Sequence, residues 1–149
     1  MKLEDEIFQK NFKNDYQKAA INIIYTNNWL NSLFSSFLKE NSLSIQQFNI
    51  LRILRGQHPQ PASVKLLKER MLDKMSDASR LVEKLRLKGL IKRTISSTDR
   101  RNVDIFITPK GLETLKKHDT IDDLFKKQFS HLNAKEIKQL NHLLDKLRS

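Results

Sequence analysis

Three arginines and two serines carry the most legible chemistry in this sequence. Arg100 and Arg101 follow Asp99 in the run STDRRNVDIFITPKG, Ser97 to Gly111, while Ser76, Ser79 and Arg80 stand together upstream. A guanidinium presents paired donors that fit a phosphate or the O6/N7 edge of guanine, and a hydroxyl can meet either. Neither set is a catalytic constellation. Cysteine is absent, which excludes thiol catalysis, a disulfide framework and cysteine-based peroxide sensing. His58, His118, His131 and His142 have no metal-ligand spacing to one another. No glycine-rich phosphate loop, nucleophile elbow or pair of strand carboxylates stands out. The expectation is no enzyme, no cofactor and no metal.

Charge points the same way. The 149 residues carry a formal net charge of +11. Residues 63–111 hold 13 Lys or Arg against 6 Asp or Glu, a net +7, while residues 1–62 and 112–149 contribute +2 each. A localised basic region attracts a polyanion, and nucleic acid is the default partner. The competing reading is a basic surface that only aids solubility. A length of 149 residues with 38% hydrophobic content fits one domain with one core. Three glycines and three prolines favour long helices with short connections. The N-terminal residues lack a signal-peptide pattern, and no apolar stretch approaches the roughly 20 residues of a membrane helix. A cytoplasmic protein without membrane contact is expected.

Those side chains need elements to position them. Residues 4–39 read as one long helix, with Ile7, Phe8, Phe12, Tyr16, Ile23, Trp29, Leu33, Phe34 and Phe37 among its recurrent apolar positions. Ser44 and Gln47 fit a capping box for a second helix, which GQHPQP, Gly56 to Pro61, ends. Ser63 can cap a third, shorter helix carrying Val64, Leu66, Leu67 and Met71. After MLDKMSD comes a fourth helix, DASRLVEKLRLK, closed by Gly89 and capped by Asp73 or Ser76. LIKRTI (90–95) and VDIFI (103–107) read as strands around the polar turn SSTDRRN. Thr108 and Pro109 open a further helix to about Phe129, irregular in its polar middle. Asn133 and Glu136 fit a capping box for the last helix. The fold class is mainly α with a two-stranded β-wing.

The third and fourth helices form a helix-turn-helix candidate, and the hairpin after them makes it winged. On the fourth helix Ala78, Leu81, Val82 and Leu85 gather on one face. Ser76, Arg80, Glu83, Lys84 and Leu87 lie opposite, with Asp77 and Ser79 on the flanks. A recognition helix needs this division, one face anchored and the other free to enter the major groove. Candidate DNA-binding residues are therefore Ser63, Lys74, Ser76, Asp77, Ser79, Arg80 and Lys84, with Lys74 and Lys84 as phosphate contacts. Arg80 suits a guanine or a phosphate. Asp77 suits a cytosine amine or a helix cap. The bland reading is an amphipathic helix with a solvated basic side.

The opening run resembles the winged-helix signature of the MarR family of bacterial transcription regulators. Asp99-Arg100-Arg101 stands at its Asp-Arg-Arg wing motif, and Ile107-Thr108-Pro109-Lys110-Gly111 is similar to its Leu-Thr-x-x-Gly ending, with isoleucine for leucine. SRLVEKLRLKGLIKR, Ser79 to Arg93, resembles its recognition helix and following strand. Helix order and length are similar over nearly the whole chain. The resemblance implies a wing straddling the minor groove, where narrow A·T tracts draw arginine. It also implies Asp99 as wing organiser through an arginine pair, with Arg100 and Arg101 sharing that pairing and the DNA contact. SVKLLKERM and MLDKMSD depart from the common family pattern, so base preferences do not transfer.

The resemblance further implies a two-fold dimer of interlocked terminal helices. Its interface would use Ile7, Phe8, Phe12, Ile137, Leu140, Leu143, Leu144 and Leu147, although several of these could equally close their own subunit's core. Symmetry then implies a palindromic operator. A small aromatic or phenolic effector would sit near Tyr25, Trp29, Phe48, Arg52 and His58, against the alternative that Trp29 and Phe48 are plain core. The expected organisation is a single domain, 1–149, with a winged helix-turn-helix lobe at 44–111 and dimerisation helices at 1–40 and 112–149. The expected function is a sequence-specific, homodimeric regulator of transcription, a repressor on double-stranded DNA. The alternative is a non-specific winged-helix architectural or assembly module without an effector.

Overall fold

The computed structural model describes residues 2–149. Its elements run α1 (Leu3–Glu6), α2 (Asp15–Leu38), α3 (Ile45–Gln57), α4 (Val64–Arg70), α5 (Ala78–Leu87), β1 (Ile91–Ile95), β2 (Val103–Ile107), α6 (Pro109–Lys116), α7 (Ile121–Gln128) and α8 (Ala134–Leu147). This is a mainly helical chain with a two-stranded wing, as the apolar spacing predicts.

Local capping chemistry sets most boundaries. Ser44 and Gln47 complete a capping box on α3, and Asn133 and Glu136 complete another on α8. Each satisfies free amides of the first helical turn. The Ser63 hydroxyl accepts from the Leu66 amide and opens α4. Thr108 accepts from the Gly111 amide, with Pro109 in the first turn of α6. Gly89 ends α5 at φ +71°, a conformation costly for residues with a Cβ.

Two boundaries differ from the sequence reading. The predicted helix over 4–39 is broken. Phe8 takes φ +54°, and Asn14 restarts the chain as an N-cap, accepting from the Gln17 amide. The cap of α5 is neither Asp73 nor Ser76 but Asp77, in the helix-cap role that was one of its two expected uses; its carboxylate accepts from the Arg80 amide at 3.1 Å. The polar interruption after Thr108 is real, since α6 stops at Lys116 and α7 begins at Ile121.

The strands pair antiparallel, Ile91 opposite Ile107 and Ile95 opposite Val103. Ala62, just before α4, adds a bridge to Ile105 through reciprocal 2.9 Å backbone bonds, an attachment the sequence reading did not foresee. The main core lies between Leu38 and Leu115, with Phe48, Leu51, Leu67, Val82, Leu85 and Ile105 inside it. α2 buries only Leu38, where Phe34 and Phe37 also pack on the core, and α8 buries no residue at all. The core therefore serves the winged segment, while the two long terminal helices leave apolar side chains in solvent. Among the described residues no helix is long and apolar enough to cross a membrane.

Candidate nucleic-acid interface

The helix-turn-helix is anchored from beneath. Ala78, Val82 and Leu85 of α5 are buried, and Leu81 packs partly against the same core. Ser79, Arg80, Lys84 and Leu87 are exposed. Burial of one stripe holds the opposite face outward, which is the geometry groove entry requires.

The turn ahead of α5 is tied to α3. Asn49 Oδ1 accepts from the Leu72 amide at 2.9 Å. Asp73 accepts from the Met75 amide at 3.0 Å and from Gln46 Nε2 at 3.4 Å. The Ser76 hydroxyl, with the Met75 amide and Gln46, holds the Asp73 carboxyl below its usual range. The Ser76 amide donates to the Asp73 carbonyl at 3.3 Å, and the residue is only partly exposed. Lys74 Nζ donates to the Glu69 carbonyl at 2.6 Å, and Ser63 is the cap of α4. Asp77 caps α5 and so sets the backbone from which Arg80 projects.

Arginine pairing divides the basic residues. Arg86 forms a two-toothed pair with Glu83, at 2.9 and 2.7 Å, and holds that carboxyl below its usual range. Arg93 approaches the same carboxylate at 3.8 Å. Arg80, Arg100 and Arg101 have no carboxylate within ion-pair distance among the described residues.

The wing is organised by backbone bonds. Asp99 Oδ1 accepts from the Arg101 amide at 3.0 Å, Oδ2 accepts from Asn102 Nδ2 at 3.1 Å, and the Asn102 amide donates to the Asp99 carbonyl at 2.9 Å. The aspartate–arginine pair implied by the resemblance is not formed among the described residues: the carboxylate bonds the Arg101 amide and Asn102, and no guanidinium lies within ion-pair distance of it. Buried Ser96 closes the other side, its hydroxyl within 3.0 Å of the Thr98 hydroxyl and its amide donating to the Asn102 carbonyl at 3.0 Å. The sequence places Ser96 and Asn102 in the polar turn SSTDRRN without marking either as an organiser of the wing. Their signal is the clustering of short polar residues around the aspartate, where side chains bond nearby backbone.

The other named residues scatter. Phe48 is buried, edge-on to Phe34, with Arg52 over its ring at 6.0 Å. The Tyr25 hydroxyl donates to Glu6 at 2.7 Å, which raises its pKa. Trp29 is partly open on α2, and exposed His58 terminates α3. None of the five lines either of two formed clefts. One, of about 550 Å³, lies between α2, α3 and the turn, with Asn27, Asn31, Phe34, Gln46, Asn49 and Asp73 on its walls. The other, about 420 Å³, is lined by Asn41, Leu87, Lys88 and Lys110. Of the dimer candidates, Phe8, Leu140, Leu143 and Leu147 are exposed. Ile7, Phe12, Ile137 and Leu144 are half-buried, with Lys18 over the Phe12 ring. No group of three or more His, Asp or Glu among the described residues could hold a metal ion.

Comparison with known proteins follows the same lines. Residues 43–103 match the model of the MarR family. The chain is 24% identical over 131 residues to the HTH-type transcriptional repressor IacR of Pseudomonas putida, covering 87% of this chain and 74% of that one. It shares 29% identity and a TM-score of 0.69 with the crystal structure of a MarR transcription factor from Planctomyces limnophilus, over 91% of this chain and 98% of that one. Bordetella bronchiseptica BpsR, whose DNA binding is regulated by 6-hydroxynicotinic acid, has the same fold at 20% identity, TM-score 0.73, over 89% and 99% of the chains.

Proposed function

We propose, from the premise that residues 43–103 belong to the MarR family of winged helix-turn-helix transcription regulators, that this protein is a cytoplasmic homodimeric repressor on a palindromic operator. One observation carries the reading: Arg80 at the head of α5 and Arg100 and Arg101 in the wing are held on an ordered scaffold yet have no carboxylate partner among the described residues. Charge left unpaired on a positioned scaffold is available to phosphates and base edges. Ser79 and Lys84 extend the α5 surface, Lys74 and Ser63 flank it, and Asp77 and Ser76 act by positioning. Asp99 organises the wing.

The dimer follows from the uncovered helices. Leu140, Leu143 and Leu147 of α8, with Ile23, Ile24 and Phe8 at the other end of the chain, expose apolar surface that a second copy would bury. The winged lobe 44–111 would then be the reading head and the terminal segments the arms. A small aromatic or phenolic effector would enter the cleft of about 550 Å³, where Phe34 offers a ring and Asn49 and Asp73 connect directly to the turn ahead of α5.

A gel shift tests this, using DNA upstream of the protein's own gene and sites from random-sequence selection, against unrelated DNA across a salt series. Selective, saturable binding supports the regulator. Equal, steeply salt-dependent binding to all DNA favours the non-specific module. Arg80→Ala should weaken specific binding more than non-specific binding. Joint replacement of Arg100 and Arg101 by alanine should weaken both and flatten the salt dependence by about two units of slope per subunit, about four for the dimer. Sedimentation should give a dimer that Leu143→Glu dissociates.

A further inference from the structure

We propose that Met75 is a specificity-determining residue that reads thymine, packing its thioether chain on the C5-methyl group of one thymine in each half-site. The inference rests on the DNA-binding reading above. Met75 is 93% exposed, in a position the backbone fixes firmly. Asp73 accepts from its amide at 3.0 Å, and the Ser76 amide donates to the Asp73 carbonyl at 3.3 Å. Asn49 and Gln46 tie the same turn to α3. An ordered turn thus holds out an apolar side chain two residues before the Asp77 cap of α5, the helix whose first turn carries Ser79 and Arg80.

Chemistry selects the occupant. Phosphates are charged, and guanine, adenine and cytosine present polar edges in the major groove. Thymine alone presents a methyl group there. Methionine, unbranched and polarizable, adapts to such a surface without needing one fixed rotamer. Two other exposed apolar residues of this region have different neighbours. Leu72 lines the cleft against α2, and Leu87 lies at the far end of α5, over the cleft with Lys88 and Lys110. Met75 lines neither cleft.

The test starts from the site that the wild-type protein selects from random DNA. That duplex is made once with thymidine and once with deoxyuridine throughout both half-sites, which removes the methyl groups and keeps base pairing. Affinities of wild type and Met75→Ala for both duplexes complete a double-mutant cycle. Burying one methyl group is worth about 0.8 kcal/mol, so wild type should lose about fourfold per half-site and about 15-fold for two. Met75→Ala should be weaker on the thymidine duplex by a similar factor and indifferent to deoxyuridine, with unchanged non-specific binding. The proposal is overturned by a selected half-site with no fixed A·T pair, by wild-type indifference to deoxyuridine, or by a loss that persists in Met75→Ala. A wild-type protein that selects no sequence would instead overturn the regulator reading itself, and this proposal with it.

Discussion

Adding one methyl group at Gly111 and at Gly56 should move stability in opposite directions. A Cβ on Gly111 would fall 2.3 Å from the Leu90 carbonyl oxygen and 2.7 Å from Ile107 Cγ1, where ordinary contact begins at 3.4 Å. Relief needs a separation of about 1 Å between α6 and the start of β1, and several bonds oppose it. The Leu90 carbonyl accepts from the Thr108 amide at 3.1 Å, and the Thr108 hydroxyl donates to the Gly89 carbonyl at 2.8 Å. Lys110 Nζ donates to the Lys88 carbonyl at 3.0 Å, and Ile107 is paired to Ile91. Overpacking costs about 1–3 kcal/mol, and so pinned a site belongs near the upper end. At Gly56, inside α3, a Cβ meets nothing within 4 Å. Alanine there should gain about 0.5–1 kcal/mol through helix propensity. Urea unfolding at fixed protein concentration reads both. With a slope of about 2 kcal/mol per molar, the midpoint should fall by about 1–1.5 M for Gly111→Ala and rise by about 0.3–0.5 M for Gly56→Ala. A loss below about 0.5 kcal/mol at Gly111 would refute the close-approach argument.

Asp77→Ala should destabilise the protein by about 1 kcal/mol through loss of the α5 cap, with Asp77→Ser retaining most of it; denaturant midpoints check this, and equal losses would remove the cap from the argument. The Asp73 carboxyl, held below its ordinary value of 3.8 by the Ser76 hydroxyl, the Met75 amide and Gln46, stabilises the folded turn above that pH. The stabilisation is lost as pH falls through the lowered folded value, because the unfolded chain binds the proton first. A carboxyl titration by NMR should place its midpoint below 3.8, and a midpoint at or above it would contradict the bonding described.

Much of the fold was readable because its determinants are local. Ser44 with Gln47, Asn133 with Glu136, and Thr108 with Pro109 each decide a helix start within four residues. The break ahead of α2 was hidden because apolar spacing continues through Phe8 and Phe12 while the backbone does not. The α5 cap was ambiguous for a different reason. Asp73, Ser76 and Asp77 are all competent caps, and Asp73 is claimed by Gln46 on another helix, a choice that no local pattern records. In the wing the aspartate was readable but its partners were not, since its two oxygens are satisfied by the Arg101 amide and Asn102. The five residues expected near an effector line no common cleft, because Phe48 is drawn into the core beside Phe34 and His118.

His118 is only 3% exposed, edge-on to the rings of Phe37 and Phe48, with Nδ1 at 2.9 Å from the Thr114 carbonyl and Nε2 at 3.3 Å from Asn41 Nδ2. It sits where α2, α3 and the end of α6 meet, and so behaves as the wedge of a joint. From there the 24 residues of α2 extend as a lever of about 36 Å, so ten degrees of rotation at the wedge sweeps its far end through about 6 Å. In a two-fold assembly the distance between two reading heads must match a helical turn of DNA, about 34 Å. In the proposed two-fold assembly, a small change of angle in the packing around this one imidazole would be magnified by the long arm into spacing.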